Sequence, residues 1–139
     1  MILFDTNVVS ELMKAAPAER VVLWVSAQPE SSLYTTSITQ AEILHGIALL
    51  SSGKRRRAIV GAAHAMFAEE FKGRILDFGR DAASSYALIA ADRRRAGRPI
   101  SNFDAQIAAI ARSVGAAIAT RNVADFSDCR VELVNPWES

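Results

Sequence analysis

Short apolar runs alternate along the chain with segments of helical period. Met1–Phe4 is apolar throughout and stops at Asp5-Thr6-Asn7, which predicts a buried strand running into a helix start. Glu19–Ala27, carrying Val21, Val22, Leu23, Trp24 and Val25, predicts a helix closed by Pro29. Leu33–Thr36 is short and rich in β-formers, so it reads as a second strand. Ser37 with Gln40 makes a capping-box pattern and opens a helix through Glu42, Leu44, Ile47 and Leu50. Ser51-Ser52-Gly53 interrupts, and another helix is predicted from about Lys54 to Phe71. Arg74–Phe78 reads as a strand.

The next helix, about Asp81 to Ala96, stops at Gly97-Arg98-Pro99, where Gly supplies a left-handed cap and Pro forbids resumption. Ser101 with Asp104 opens a helix whose apolar face carries Ile107, Ile110, Ala111 and Val114. Gly115 ends it, Ala116–Thr120 is a short apolar strand, and Val131–Val134 completes the sheet. Strands alternating with helices predict a parallel sheet covered on both faces.

A chain of 139 residues points to one domain, long enough to bury a core without staples. Its 25 alanines favour helices that approach closely. A lone cysteine, Cys129, excludes an internal disulfide framework and a Cys-rich zinc site, and suits a reducing, cytoplasmic compartment. Net charge is +1, which excludes a globally basic nucleic-acid binder but not a locally basic one. No apolar run approaches a signal-peptide core or a membrane span, so no membrane partner is expected.

Ligands of open parallel sheets bind beyond the carboxyl ends of the strands. Asp5 ends the first strand, and Thr120-Arg121-Asn122 ends another with Asp125 shortly after. Asp104 lies in the first turn of one helix and Glu42 in the second turn of another, flanked by Ala41, Ile43 and Leu44. Carboxylates converging in a dry crevice repel one another, and a hard divalent cation such as Mg²⁺ or Mn²⁺ relieves that repulsion. Each residue also has an ordinary reading. Asp5 can N-cap a helix, Asp104 can complete a capping box with Ser101, and Glu42 can be a surface glutamate. Asp125 and Asn122 can be turn residues.

Competing phosphate chemistries lack their motifs. There is no Walker loop and no G-x-G-x-x-G after a strand. An aspartyl-phosphate phosphatase needs a second acid where this chain has Asn7. No G-x-S-x-G elbow occurs, and His45 and His64 read as ordinary helix residues. What is present, in order, is MILFDTNVVSE, SITQAEILHGI, FDAQIAAIA, IATRNVADF and a closing VNPW. Over essentially the whole chain this resembles PIN-domain ribonucleases, and within them VapC-type toxins of the FitB-like branch.

The resemblance implies an α/β, PIN-like three-layer sandwich with a mostly parallel five-stranded sheet, and an acidic pocket for Mg²⁺ or Mn²⁺. It places the family's acids on Asp5, Glu42 and Asp104, while the fourth falls on Asn122, leaving Asp125 as the nearest carboxylate. Thr6, Asn7, Thr120 and Asn122 are then expected to orient carboxylates and water. It also implies RNA cleavage leaving a 5′-phosphate, a homodimer, a small VapB-type antitoxin, and operator DNA reached only through that antitoxin. Thirteen of the sixteen cations are arginines, whose forks suit phosphate. Arg55, Arg56, Arg57, Arg93, Arg94 and Arg121 are the candidate RNA contacts. The alternative is a non-catalytic PIN-like module serving antitoxin and operator-DNA assembly, favoured by Asn122.

Overall fold

The computed structural model describes residues 1–139. Five strands, β1 (Ile2–Phe4), β2 (Leu33–Thr36), β3 (Ile75–Leu76), β4 (Ala117–Ala119) and β5 (Leu133–Val134), form one sheet in the order β3-β2-β1-β4-β5. Every pairing is parallel, so the sheet is wholly rather than mostly so. Central β1 pairs Ile2 with Leu33 on one side and with Ala117 on the other. All five strands therefore finish at one edge.

Alternate side chains of a strand face opposite sides. Leu3 enters a cluster with Ile89, Ile107, Ile110 and Ile118, beneath α5 (Arg80–Arg95) and α6 (Asn102–Val114). Phe4 enters the other, with Val8, Val9, Ile43, Ile47 and Phe67. That side is covered by α1 (Thr6–Leu12), α2 (Glu19–Ser26), α3 (Ser37–Ala48) and α4 (Lys54–His64). Ala108, Ala109 and Ala111 of α6 are fully buried, which is where the alanine content serves close packing.

Several boundaries differ from the sequence expectations. The cap of α3 is Thr36, whose hydroxyl accepts the Thr39 N–H at 3.1 Å, rather than Ser37. Thr36 is still extended at φ −128°, so the strand hands over to the helix without an intervening loop. The helix beginning at Lys54 ends in a π-type turn over Ala65–Glu70. The Arg74–Phe78 strand shrinks to Ile75–Leu76: the Arg74 N–H closes a turn onto Phe71 O at 2.8 Å, while its guanidinium bonds the carbonyls of Leu33 and Glu70. Ser101 does cap α6, accepting the Asp104 N–H at 3.2 Å.

Gly115 closes α6 at φ 69°, a conformation that penalises any Cβ, although the space around it is open. Gly115→Ala is expected to lose about 1 kcal/mol of unfolding free energy. Gly61 lies inside α4 with equally open space and no positive φ, so Gly61→Ala is expected to gain about 0.5–1 kcal/mol. Urea titrations of both variants check the opposite signs.

Candidate active site

Because β1 ends at Phe4, Asp5 emerges at the carboxyl edge and caps α1, with its Oδ1 accepting the Val8 N–H at 3.0 Å. Its Oδ2 accepts the Thr120 hydroxyl at 2.6 Å, from the residue just beyond β4. Thr120 Oγ1 in turn accepts the Asn122 N–H at 3.0 Å. Asp5 is thus an N-cap whose carboxylate also stands at the carboxyl edge as a candidate site acid. Asp5 is only 4% exposed, and burial, with Asp104 adding to it, pushes its carboxyl up to about 6.

Glu42 reaches the same edge from α3, where Thr6 Oγ1 donates to Glu42 Oε1 at 2.7 Å. Thr39 Oγ1 lies 3.2 Å from Thr6 Oγ1 and completes this small polar contact beneath the glutamate. Glu42 is half-buried and its carboxyl is raised, first by desolvation and then by the Asp104 charge. The Thr6 hydrogen bond opposes that rise, and of the apolar sequence neighbours Leu44 is 49% exposed. Asp104, in the first turn of α6, is raised by burial and by the Asp125 charge, and Arg93 opposes that rise. Asp104 is therefore the common neighbour: its charge is felt by Asp5 and Glu42, and it feels Asp125.

Asp125 is exposed in the 3-10 turn Val123–Phe126, anchored by buried Phe126 and by its own N–H to Asn122 O at 3.0 Å. Asn7 and Asn122 stand exposed at the mouth. The structure brings the backbone N–H of Asn122, not its side chain, to Thr120.

Residues 2–130 match the PIN domain. The chain belongs to the PIN-domain family. It is similar to a VapC ribonuclease of Sinorhizobium fredii, 39% identical over 99% of both chains. It is also 37% identical to the toxin FitB of Neisseria gonorrhoeae, again over 99% of each. A solved structure of FitAB bound to the IR36 DNA fragment superposes with a TM-score of 0.90 at 37% identity, covering 99% of this chain and 96% of that one. The similarity is full-length, so this is a PIN domain of the VapC and FitB branch.

In this PIN domain the donor set fits a hard divalent cation, since every candidate donor is a carboxylate oxygen and the Asp104 charge raises both Asp5 and Glu42. No three acidic, His or Cys side chains close into a cage. Both Asp5 oxygens already hold hydrogen bonds and one Glu42 oxygen does too. Such a site leaves coordination positions to water, which suits Mg²⁺.

The arginines separate sharply. Arg93, a candidate RNA contact from sequence, is corrected: it is 6% exposed and turned inward. Its Nε donates to Arg98 O at 2.7 Å, and its Nη1 to Asp125 O at 2.9 Å and Ser127 O at 3.0 Å. A guanidinium spent on three backbone carbonyls is a clamp on the Asp125 turn. Nothing in the run Arg93-Arg94-Arg95 distinguishes it; the signal is only its helical offset toward buried Ile89. Arg56 is half-buried, whereas Arg57, Arg94 and Arg121 are exposed. Arg55 lines a cleft together with Thr6 and Glu42.

Two outcomes follow from this site. The folded carboxyl of Asp5 titrates near 6 against 3.8 in its ordinary state, so between those values the native chain holds a proton that the unfolded chain has released. Its contribution to stability therefore falls as pH rises through that window. Asp5→Asn should melt higher than wild type at pH 7, with the gap closing toward pH 4, in metal-free thermal scans. Arg93→Ala removes a buried side chain and its three hydrogen bonds to backbone carbonyls and is expected to cost roughly 3 kcal/mol, whereas Arg94→Ala should stay within about 0.5 kcal/mol by denaturant titration.

Proposed function

We propose that residues 1–139 act as one metal-dependent endoribonuclease domain, the toxin of a VapBC-type pair, in the cytoplasm. The observation that carries this reading is the meeting of Asp5, Glu42 and Asp104 at one edge of the sheet, each with its ionised form disfavoured by the others or by burial. The names of the relatives support it: one is a VapC ribonuclease and another a toxin. FitAB on a DNA fragment supports a small antitoxin as partner, with operator DNA reached through it; the toxin unit is a homodimer on this reading.

Asp5, Asp104 and Glu42 would hold Mg²⁺ or Mn²⁺, which supplies acidity to a water nucleophile and offsets charge on the phosphoryl oxygens. Thr120 fixes one Asp5 oxygen and Val8 N–H the other, so the carboxylate cannot rotate away from the crevice. Thr6 holds Oε1 of Glu42 and leaves Oε2 free to steer water toward in-line attack. Asp125 adds charge at the rim, where Asn122 offers only a neutral amide. Asn122 also favours the second reading, a non-catalytic assembly module, which the same experiment decides.

The purified antitoxin-free chain is expected to run at twice its 15.0 kDa mass in light scattering and to cut RNA with Mg²⁺ or Mn²⁺ but not with EDTA. Asp5→Asn and Asp104→Asn should each lose at least about a hundredfold in rate while keeping the fold. Asp125→Ala should need more metal for half-maximal rate and recover in excess Mn²⁺. Full cleavage by both Asn variants would remove the ribonuclease assignment, and a superimposable metal curve would remove Asp125.

A further inference from the structure

A small cavity of about 210 Å³ opens beside the carboxylates. Asn7, Ser10 and Lys14 of the α1 region line it, together with Arg121, Asn122 and Trp137 from the segments that follow β4 and β5. Parallel pairing brings those two segments together: the Thr120 N–H bonds Val134 O at 2.9 Å, so both leave the sheet at the same edge. Asn135 then joins them, its Nδ2 donating to Arg121 O at 3.4 Å and its Oδ1 accepting the Trp137 N–H at 2.9 Å. Arg20 secures the far side by donating to Trp137 O at 3.3 Å.

Within this frame the indole packs on the core cluster around Phe4, and the Arg121 guanidinium lies over it, 5.1 Å from the ring centroid. A guanidinium on an aromatic face is desolvated on one side and restricted in rotation, while its fork stays available to an anion. Arg121 makes no ion pair. The one carboxylate lining the cavity, Glu11, is already engaged: Oε1 takes Lys14 at 2.9 Å and Oε2 takes the Ala18 N–H at 2.9 Å. With Lys14 paired to Glu11, whose charge Arg121 also feels, the remaining lining offers two amides, a hydroxyl and the unpaired Arg121 guanidinium, which covers the single aromatic face. That chemistry suits a phosphate rather than a base.

Ser10 and Lys14 also line the cleft that contains Thr6, Glu42 and Arg55. The cavity and the carboxylate crevice therefore share a rim across α1. We propose that this cavity is a phosphate subsite in which Arg121, held flat by Trp137, grips a backbone phosphate of the RNA strand beside the bond being cut. The subsite rests on the ribonuclease reading. Arg121 is the binding residue and Trp137 a positioning residue that acts through it.

Binding of a fluorescein-labelled single-stranded RNA of mixed sequence, followed by anisotropy on the full chain carrying Asp5→Asn across a KCl series, tests it. Adding Arg121→Ala should weaken binding about tenfold and reduce the slope of log K against log salt by about 0.7, the signature of one lost phosphate contact to a single strand. Arg121→Lys and Trp137→Leu keep the charge, so they should keep the slope while weakening binding severalfold. On the wild-type background, Arg121→Ala should raise KM about tenfold and leave kcat within about twofold. An unchanged slope in Arg121→Ala, whatever its affinity, overturns the phosphate subsite and leaves the ribonuclease reading standing. A wild-type chain that neither binds nor cuts RNA removes both.

Discussion

The carboxylate of Asp5 at the end of the central strand is the contact on which the rest of this site depends. Its Oδ1 is fixed by the first turn of α1 and its Oδ2 by Thr120 beyond β4, so one side chain ties two crossovers to a common edge. The two hydrogen bonds offset part of the desolvation, yet burial still leaves the carboxyl well above its ordinary range. The fold thus carries a group whose ionised form is held at a cost, a condition that clusters at functional sites. A bound proton relieves it at low pH, and a nearby positive charge would relieve it in the ionised form.

The second constraint is the charge around Asp104. Three other acids act on or through it, and the buried cation Arg93 faces it without forming an ion pair. Arg93 instead uses its donors on the backbone of the Asp125 turn, where a fixed guanidinium satisfies carbonyls that would otherwise be stranded. Fold and site share this residue. It shapes the loop that brings Asp125 to the rim, and its field moderates the repulsion within the acidic cluster.

Around this anionic centre the outward surface of α1 is polar. Thr6, Asn7, Ser10 and Lys14 run along it, with Arg55 in the cleft on one flank and Arg121 over Trp137 on the other. On the proposed ribonuclease reading, donors flanking a carboxylate centre would grip the phosphates on either side of the one that meets the metal-loaded acids. A net charge of only +1 is therefore compatible with the proposed nucleic-acid recognition, because the cations are placed where they flank the acids.

Local chemistry made much of this chain legible from its sequence. The apolar runs, Ser101 as a cap, Gly97 and Gly115 as left-handed stops, and the alternation that demands a parallel sheet are all short-range signals. The order of the acid-bearing segments was equally readable, and with it the PIN family. Boundaries set by tertiary contacts were not. Thr36 displaced Ser37 as the cap because a strand delivers it there already extended. Among identical neighbours, packing alone chose Arg93 to turn inward and left Arg94 in solvent. Short-range patterning is enough to set the elements and the acids and arginines they carry. Which of those side chains meet follows from packing, because the distances are set by parallel pairing of strands more than a hundred residues apart, as Asp5 and Thr120 are.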